Sequence, residues 1–283
     1  MNNPIKRRTF VSRTVALAGV AALNSPRPSP AGEFTGKIKK AVKYHMVTEN
    51  LSVMDKFKLL KDLGFDGTEI RTRDKADRKE VLKAIERTGL PVHGIINSND
   101  PDITRAVELA KYYGGDSVLV VAGYDRKKPF WDSWKSTQQV IRAGIPAAEK
   151  HGVKILVENV WAGFLISALD TQRYLDEIDC PWVGSYFDVG NNVRWGVPEH
   201  WIQVLGKRIG KLDIKEWDEK KHASEGLRQG FGSKLGEGTI NWAAVRKELK
   251  ILGYRGWATA EVKGGGRERL KDIAERMDRV LDL

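Results

Sequence analysis

From residue 38 to the C-terminus, hydrophobic positions follow two alternating rhythms. Short β-branched or aromatic runs predict strands over residues 41–47, 67–71, 92–97, 117–123, 154–160, 183–189, 209–215 and 257–262. Between them, apolar residues recur at helical spacing over 53–63, 75–88, 102–113, 133–150, 169–177, 201–206, 242–252 and 268–281. Several helical stretches stop at a glycine that leads into the next strand or joint, as at Gly64, Gly89, Gly152 and Gly253. This is the left-handed cap that ends a helix. Strictly alternating strands and helices imply parallel pairing, because parallel strands need helical crossovers. Eight such pairs match a closed (β/α)8 TIM barrel as a single α/β domain over residues 38–283. An open doubly wound sheet is the alternative, but the first strand–helix turn, Val47-Thr48-Glu49-Asn50, has none of the glycines that fold uses.

The rhythm is absent before residue 32. Lys6-Arg7-Arg8 precede Thr9-Phe10 and a small apolar run, residues 15–23, followed by the proline-rich residues 26–30. A charged start, a short apolar stretch and a small-residue tail predict an export signal and linker over residues 1–31. The Arg7-Arg8-x-Phe10 pattern resembles a twin-arginine signal, which implies a bacterial periplasmic location. The apolar run is too short for a stable membrane span, which takes roughly 20 residues.

Composition narrows the class. At 41% hydrophobic, the chain can bury a core, which excludes a wholly disordered protein. Its one cysteine, Cys180, cannot close an intramolecular disulfide. The net charge of +11 raises nucleic acid as a partner. Five of those positive charges (Lys6, Arg7, Arg8, Arg13 and Arg27) lie in residues 1–31, which hold no acid, so the remainder carries +6. That modest excess points away from nucleic acid.

In a (β/α)8 barrel, chemistry sits at the C-terminal ends of the strands. Glu158, Asp188, Asp213 and Glu261 fall at or near the predicted ends of strands five, six, seven and eight. Acids converging there would repel one another unless a cation sits among them. An all-carboxylate set suits a hard divalent ion, with Mn2+ first and Mg2+, Co2+ or Zn2+ as alternatives.

The segments Val157-Glu158-Asn159, Phe187-Asp188-Val189-Gly190-Asn191, Leu212-Asp213-Ile214-Lys215-Glu216, Leu235 to Trp242, and Gly253-Tyr254 leading to Glu261 resemble the xylose-isomerase-like barrel family. That family holds sugar isomerases, epimerases and hydroxypyruvate isomerase. The resemblance implies that Glu158, Asp188, Asp213 and Glu261 ligate the metal. It also implies that Glu158 and Glu261 exchange a proton α to a carbonyl through an enediolate. Asp213 stands where the family usually has histidine, which makes the site harder and more negative. Asn191 stands where some members carry a second histidine.

Candidate substrate-binding residues are His45, His93, Asn191, Lys215 and Trp161. His45 lies near the end of strand one, and His93 shares strand-three parity with Asn97. The long segment 216–237 has the length and glycines of a lid. Gly264-Gly265-Gly266, before Arg267, is a weaker candidate for a phosphate cradle.

These residues lead to a metal-dependent sugar isomerase or epimerase acting on a small sugar or keto-sugar. Homo-oligomerisation is left open. A lyase or hydratase on keto-sugars or keto-glycosides fits the same site, as does a carbohydrate-binding barrel without turnover. A metal nuclease on this fold fits poorly, since such sites are rich in histidine and the chain has five.

Overall fold

The computed structural model describes residues 31–283. The export signal expected over residues 1–31 lies almost entirely outside the described residues. Eight parallel strands close into a barrel in chain order. They are β1 (Ile38–Lys43), β2 (Gly67–Arg71), β3 (Val92–Ser98), β4 (Ser117–Val120), β5 (Lys154–Glu158), β6 (Val183–Asp188), β7 (Ile209–Ile214) and β8 (Gly256–Ala260). The ring closes where Ala41 of β1 pairs with Thr259 of β8. The (β/α)8 expectation is met.

The sleeve consists of α1 (Val53–Asp62), α2 (Arg78–Thr88), α3 (Ile103–Tyr113), α4 (Phe130–His151), α5 (Ala168–Ile178), α6 (Pro198–Leu205), the short α7 (Glu219–Glu225) and α8 (Leu227–Gly230), α9 (Trp242–Leu252) and α10 (Arg267–Leu281). Local chemistry sets the helix ends. Ser52, Asp77, Asp102, Ser167 and Asn241 each accept a backbone N–H of the first turn, and Ser167 forms a reciprocal capping box with Asp170. Gly89 and Gly253 end α2 and α9 at φ of 65° and 68°, a conformation that a side chain would strain. Among the described residues, no helix is long and apolar enough to cross a membrane.

The main core lies between strands and helices, where residues such as Phe57, Leu60, Val81, Ile155, Leu212 and Leu270 are buried. Phe34, ahead of the predicted domain start, is 1% exposed, and its N–H donates to Asp282 O. The barrel interior is divided. One side packs Ile96, Leu119, Leu156 and Tyr186. The other carries buried Glu69, His93, Lys211 and Thr259, where bulky branched residues would ordinarily fill the space.

The first strand differs from expectation in a way that matters at the site. β1 ends at Lys43, and Tyr44–Met46 form a single 3-10 turn. The strand-like pattern persists to Val47 because that residue is buried and bridges Gly265 as an isolated pair.

Candidate metal centre and active site

Parallel register brings the four acids together. Glu158 and Asp188 are the last residues of β5 and β6, and Asp188 pairs with Asp213 of β7. Glu261 follows β8 and donates its backbone N–H to Ile214 O at 3.0 Å. One oxygen from each of Glu158, Asp188, Asp213 and Glu261 lies within 4.8 Å of the others. Asp188 and Asp213 are fully buried, Glu158 nearly so, and the Glu261 side chain is 32% exposed at the mouth.

Two lysines thread between these acids. Lys43 Nζ lies 2.8 Å from Asp213 Oδ2 and 3.1 Å from Glu261 Oε1. Lys215 Nζ lies 3.0 Å from Asp188 Oδ2 and 3.1 Å from Glu261 Oε2. Glu261 therefore touches two ammonium groups, and among the described residues no ammonium lies within ion-pair distance of Glu158. Burial pushes the Glu158 carboxyl up to about 8, helped by the Glu261 charge. Burial acts the same way on Glu261, but Lys215 and Lys43 outweigh it and hold that carboxyl well below its usual range. Burial also raises Asp188 and Asp213, against the pull of Lys215 and Lys43 respectively.

A polar frame fixes the acids. Asp188 Oδ1 accepts the backbone N–H groups of Gly190 and Asn191, both at 2.8 Å. Asn159 donates to Asp188 O at 2.9 Å and accepts Asp188 N–H at 2.8 Å. Asn191 donates to Glu158 Oε1 at 3.1 Å, and its carbonyl oxygen accepts from Lys215 at 2.8 Å. Beneath this frame, the buried Glu216 carboxylate accepts from Trp217 N, Gly236 N and Trp242 Nε1. That links β7 to the Leu235–Trp242 segment as structure rather than chemistry.

The donor set suits a divalent cation. With all four acids ionised, two ammonium groups leave two negative charges in excess. Asp213 Oδ1 is buried and meets no donor among the described residues, while Asp188 Oδ2 and Glu261 Oε2 meet only the Lys215 ammonium. A hard cation satisfies both conditions. The extra negative charge expected from Asp213 is offset locally by Lys43.

The remaining predicted residues separate. Asn191 and Lys215 lie within the cluster. His45 sits in the turn after β1 with Nδ1 unpartnered, and burial, Arg71 and Lys43 push its pKa down to about 4. Trp161 is 43% exposed, and its ring lies 6.4 Å from Phe231, which in turn lies 5.5 Å below Lys215 Nζ. Phe231 belongs to the segment read as a lid, which forms α7 and α8.

The structure does not bring His93 to the mouth. It lies near the start of β3, stacked on Trp257 with centroids 4.1 Å apart and in contact with Lys211 and Thr259 in the lower barrel. Strand parity alone cannot tell the bottom of a barrel from its mouth. The triglycine segment holds a carboxylate, not a phosphate cradle: Glu49 Oε1 accepts Arg267 N–H at 2.6 Å at the start of α10. Sequence reasoning missed Lys43. Its signal was a lysine closing an apolar run, hidden by placing the strand end four residues later.

Residues 57–282 match the family model described as the xylose isomerase-like TIM barrel. The chain is 25% identical over 254 residues to 3-dehydro-D-guloside 4-epimerase of Escherichia coli (strain K12), covering 79% of this chain and 90% of that protein. An uncharacterised protein of Methanocaldococcus jannaschii is 31% identical over 170 residues, which span 57% of this chain and 55% of that relative. Among solved structures, a 3-keto-D-glucoside 4-epimerase from E. coli superposes with a TM-score of 0.69 at 19% identity, covering 86% of this chain and 99% of that one. The IOLI protein, solved with a binding zinc atom, gives 0.71 at 18% identity and covers 86% and 98%. At these identities the structural likeness concerns the fold. With the model spanning most of the chain and the closed barrel present, this protein belongs to the xylose isomerase-like TIM barrel family.

Proposed function

We propose that this protein is a divalent-metal-dependent epimerase or isomerase of a small sugar or keto-sugar. The observation that carries the proposal is the unequal surroundings of two converging glutamates: among the described residues Glu261 touches two ammonium groups, while Glu158 accepts from the Asn191 amide. Paired carboxyls with opposed environments are suited to opposite proton-transfer roles. The relative named as a 3-dehydro-D-guloside 4-epimerase supports a carbohydrate substrate. The zinc atom in the IOLI structure, on the same fold, is in keeping with a divalent metal.

Glu261, held ionised, takes the proton α to the substrate carbonyl, and Glu158 returns a proton at the neighbouring position or on the other face. Held by Glu158, Asp188, Asp213 and Glu261, a divalent ion would supply positive charge to the enediolate oxygens. Asn191 orients Glu158, and Lys215 bridges Asp188 and Glu261. His45 and Trp161 stand at the rim to meet substrate hydroxyls and a ring face. We further infer that residues 1–31 direct export to the periplasm.

The test is a screen of free sugars and 3-keto-glycosides in D2O with Mn2+, Mg2+, Co2+ or Zn2+, followed by product analysis. Solvent deuterium at the α carbon of an isomeric product supports the proposal. An unsaturated product instead identifies a lyase. Absence of exchange with every sugar and metal overturns the enzymatic reading.

A further inference from the structure

The acid cluster attracts attention because it is acidic, yet one of its deeply buried members is a base. The Lys43 side chain is 2% exposed, at the very end of β1, with its ammonium fixed between Asp213 and Glu261. Lys215 is more accessible at 13% and rests against Asn191 and the Phe231 ring as well as its two acids. The Lys43 stem is enclosed by the barrel wall and reaches solvent less than that of Lys215.

A fixed ammonium changes what the site can accept. With all four carboxylates ionised, as ligation of a cation would require, two ammonium groups leave two negative charges in excess, which matches one divalent ion. Without Lys43 the excess is three. Repulsion between the ammonium and an incoming ion scales with the charge of that ion, so it weighs half as much again on a trivalent ion as on a divalent one. Lys43 and Asp213 are thus a matched pair. The aspartate adds a hard oxygen donor, and the lysine cancels the charge that comes with it.

Resting on the metal-dependent reading above, we propose that Lys43 is a specificity-determining residue of the metal centre: a built-in cation that cancels the charge of Asp213 and tunes the mouth to one divalent ion over a trivalent one. The test measures metal binding alone, without turnover. Metal-free wild type and the variants Lys43→Arg, Lys43→Met, Asp213→Asn and Lys43→Met/Asp213→Asn are titrated calorimetrically with Mn2+ and, separately, Tb3+.

Lys43→Met should raise the preference for Tb3+ over Mn2+ by about tenfold or more, as expected for losing one nearby positive charge at intermediate dielectric. Asp213→Asn, which leaves Lys43 in place, should lower that preference. The double variant and Lys43→Arg should return to near the wild-type ratio. If Lys43→Met leaves a buried carboxylate that prevents folding, Asp213→Asn and the double variant still decide the matter. A Tb3+/Mn2+ ratio within about threefold of wild type in every folded variant overturns the role of Lys43. A wild type that binds neither ion overturns the metal-dependent reading itself, which separates the two failures.

Discussion

Asn191 and Glu158 are joined across the barrel mouth by an amide-to-carboxylate hydrogen bond of 3.1 Å, from the loop after β6 to the end of β5. The same Asn191 amide also donates to Asn159 O at 3.0 Å, so its orientation is set from two sides. Removing it leaves Glu158 buried with no side-chain donor among the described residues. Asn191→Leu should lower kcat by about tenfold to a hundredfold with little change in KM, in line with the loss of groups that orient a reacting side chain. Asn191→Asp should be worse, because it sets a like charge beside Glu158. Steady-state kinetics on a substrate found in the exchange screen decide this, and equal losses in the two variants would mean that Asn191 acts only through packing.

The two glutamates are not equivalent, and exchange experiments can separate them. Glu158→Gln and Glu261→Gln should each reduce turnover by about a hundredfold to ten-thousandfold, the range of general acid–base catalysis. In the direction where Glu261 takes the proton, Glu158→Gln should still wash deuterium into the substrate α position without forming product. Glu261→Gln should lose both exchange and turnover. NMR of recovered substrate reads the difference. Near-wild-type turnover in either variant removes that glutamate from the chemistry.

His93 predicts a pH dependence of stability. Burial, reinforced by the neighbouring Lys211 ammonium, pushes its pKa well below the ordinary 6.5. A depressed folded pKa means the unfolded chain binds a proton that the folded chain refuses. The contribution to stability is therefore full above about pH 6.5 and declines as pH falls toward the folded pKa, by up to about 1.4 kcal/mol per pH unit. Urea unfolding between pH 7.5 and 4.5 should show a shallower loss in His93→Gln than in wild type. Parallel curves for the two proteins would show that His93 titrates normally in the fold.

Glu216 predicts a structural effect. Its carboxylate, 1% exposed, accepts three N–H groups, from Trp217, Gly236 and Trp242. Glu216→Ala leaves those donors unsatisfied and should cost about 3 kcal/mol or more, since bonds to a buried charged group are among the stronger ones. A matching fall in denaturation midpoint is the readout. A midpoint unchanged from wild type would mean that the Leu235–Trp242 segment is held by packing alone.

The export proposed for residues 1–31 turns on Arg7 and Arg8, and fractionation checks it. Replacing both with lysine should leave the protein in the cytoplasm if the segment is a twin-arginine signal. Continued periplasmic recovery of the double-lysine variant would point to a general secretory signal.

Much of the fold and half of the site can be read from residue order. The alternation of strand and helix patterns predicts eight βα units, and glycine and capping residues mark their joints, because these signals are local to a few residues. The four acids are legible for a similar reason: a charged residue closing an apolar strand is conspicuous within its own segment. Parallel register then places them on one rim.

What local pattern could not supply is height along the barrel and the identity of long-range partners. His93 has the parity of a mouth residue but sits near the bottom, because β3 begins at Val92. Lys43 and Asp213 are 170 positions apart, and nothing in either segment names the other. The 3-10 turn at Tyr44–Met46 ends β1 at the lysine, and barrel closure carries that lysine to β7 and β8. The sequence by itself determined a closed barrel with four acids on its rim. Only the tertiary structure decided that one buried and one half-buried lysine bridge those acids, because the balance between desolvation and charge depends on distances that exist only once the ring is closed.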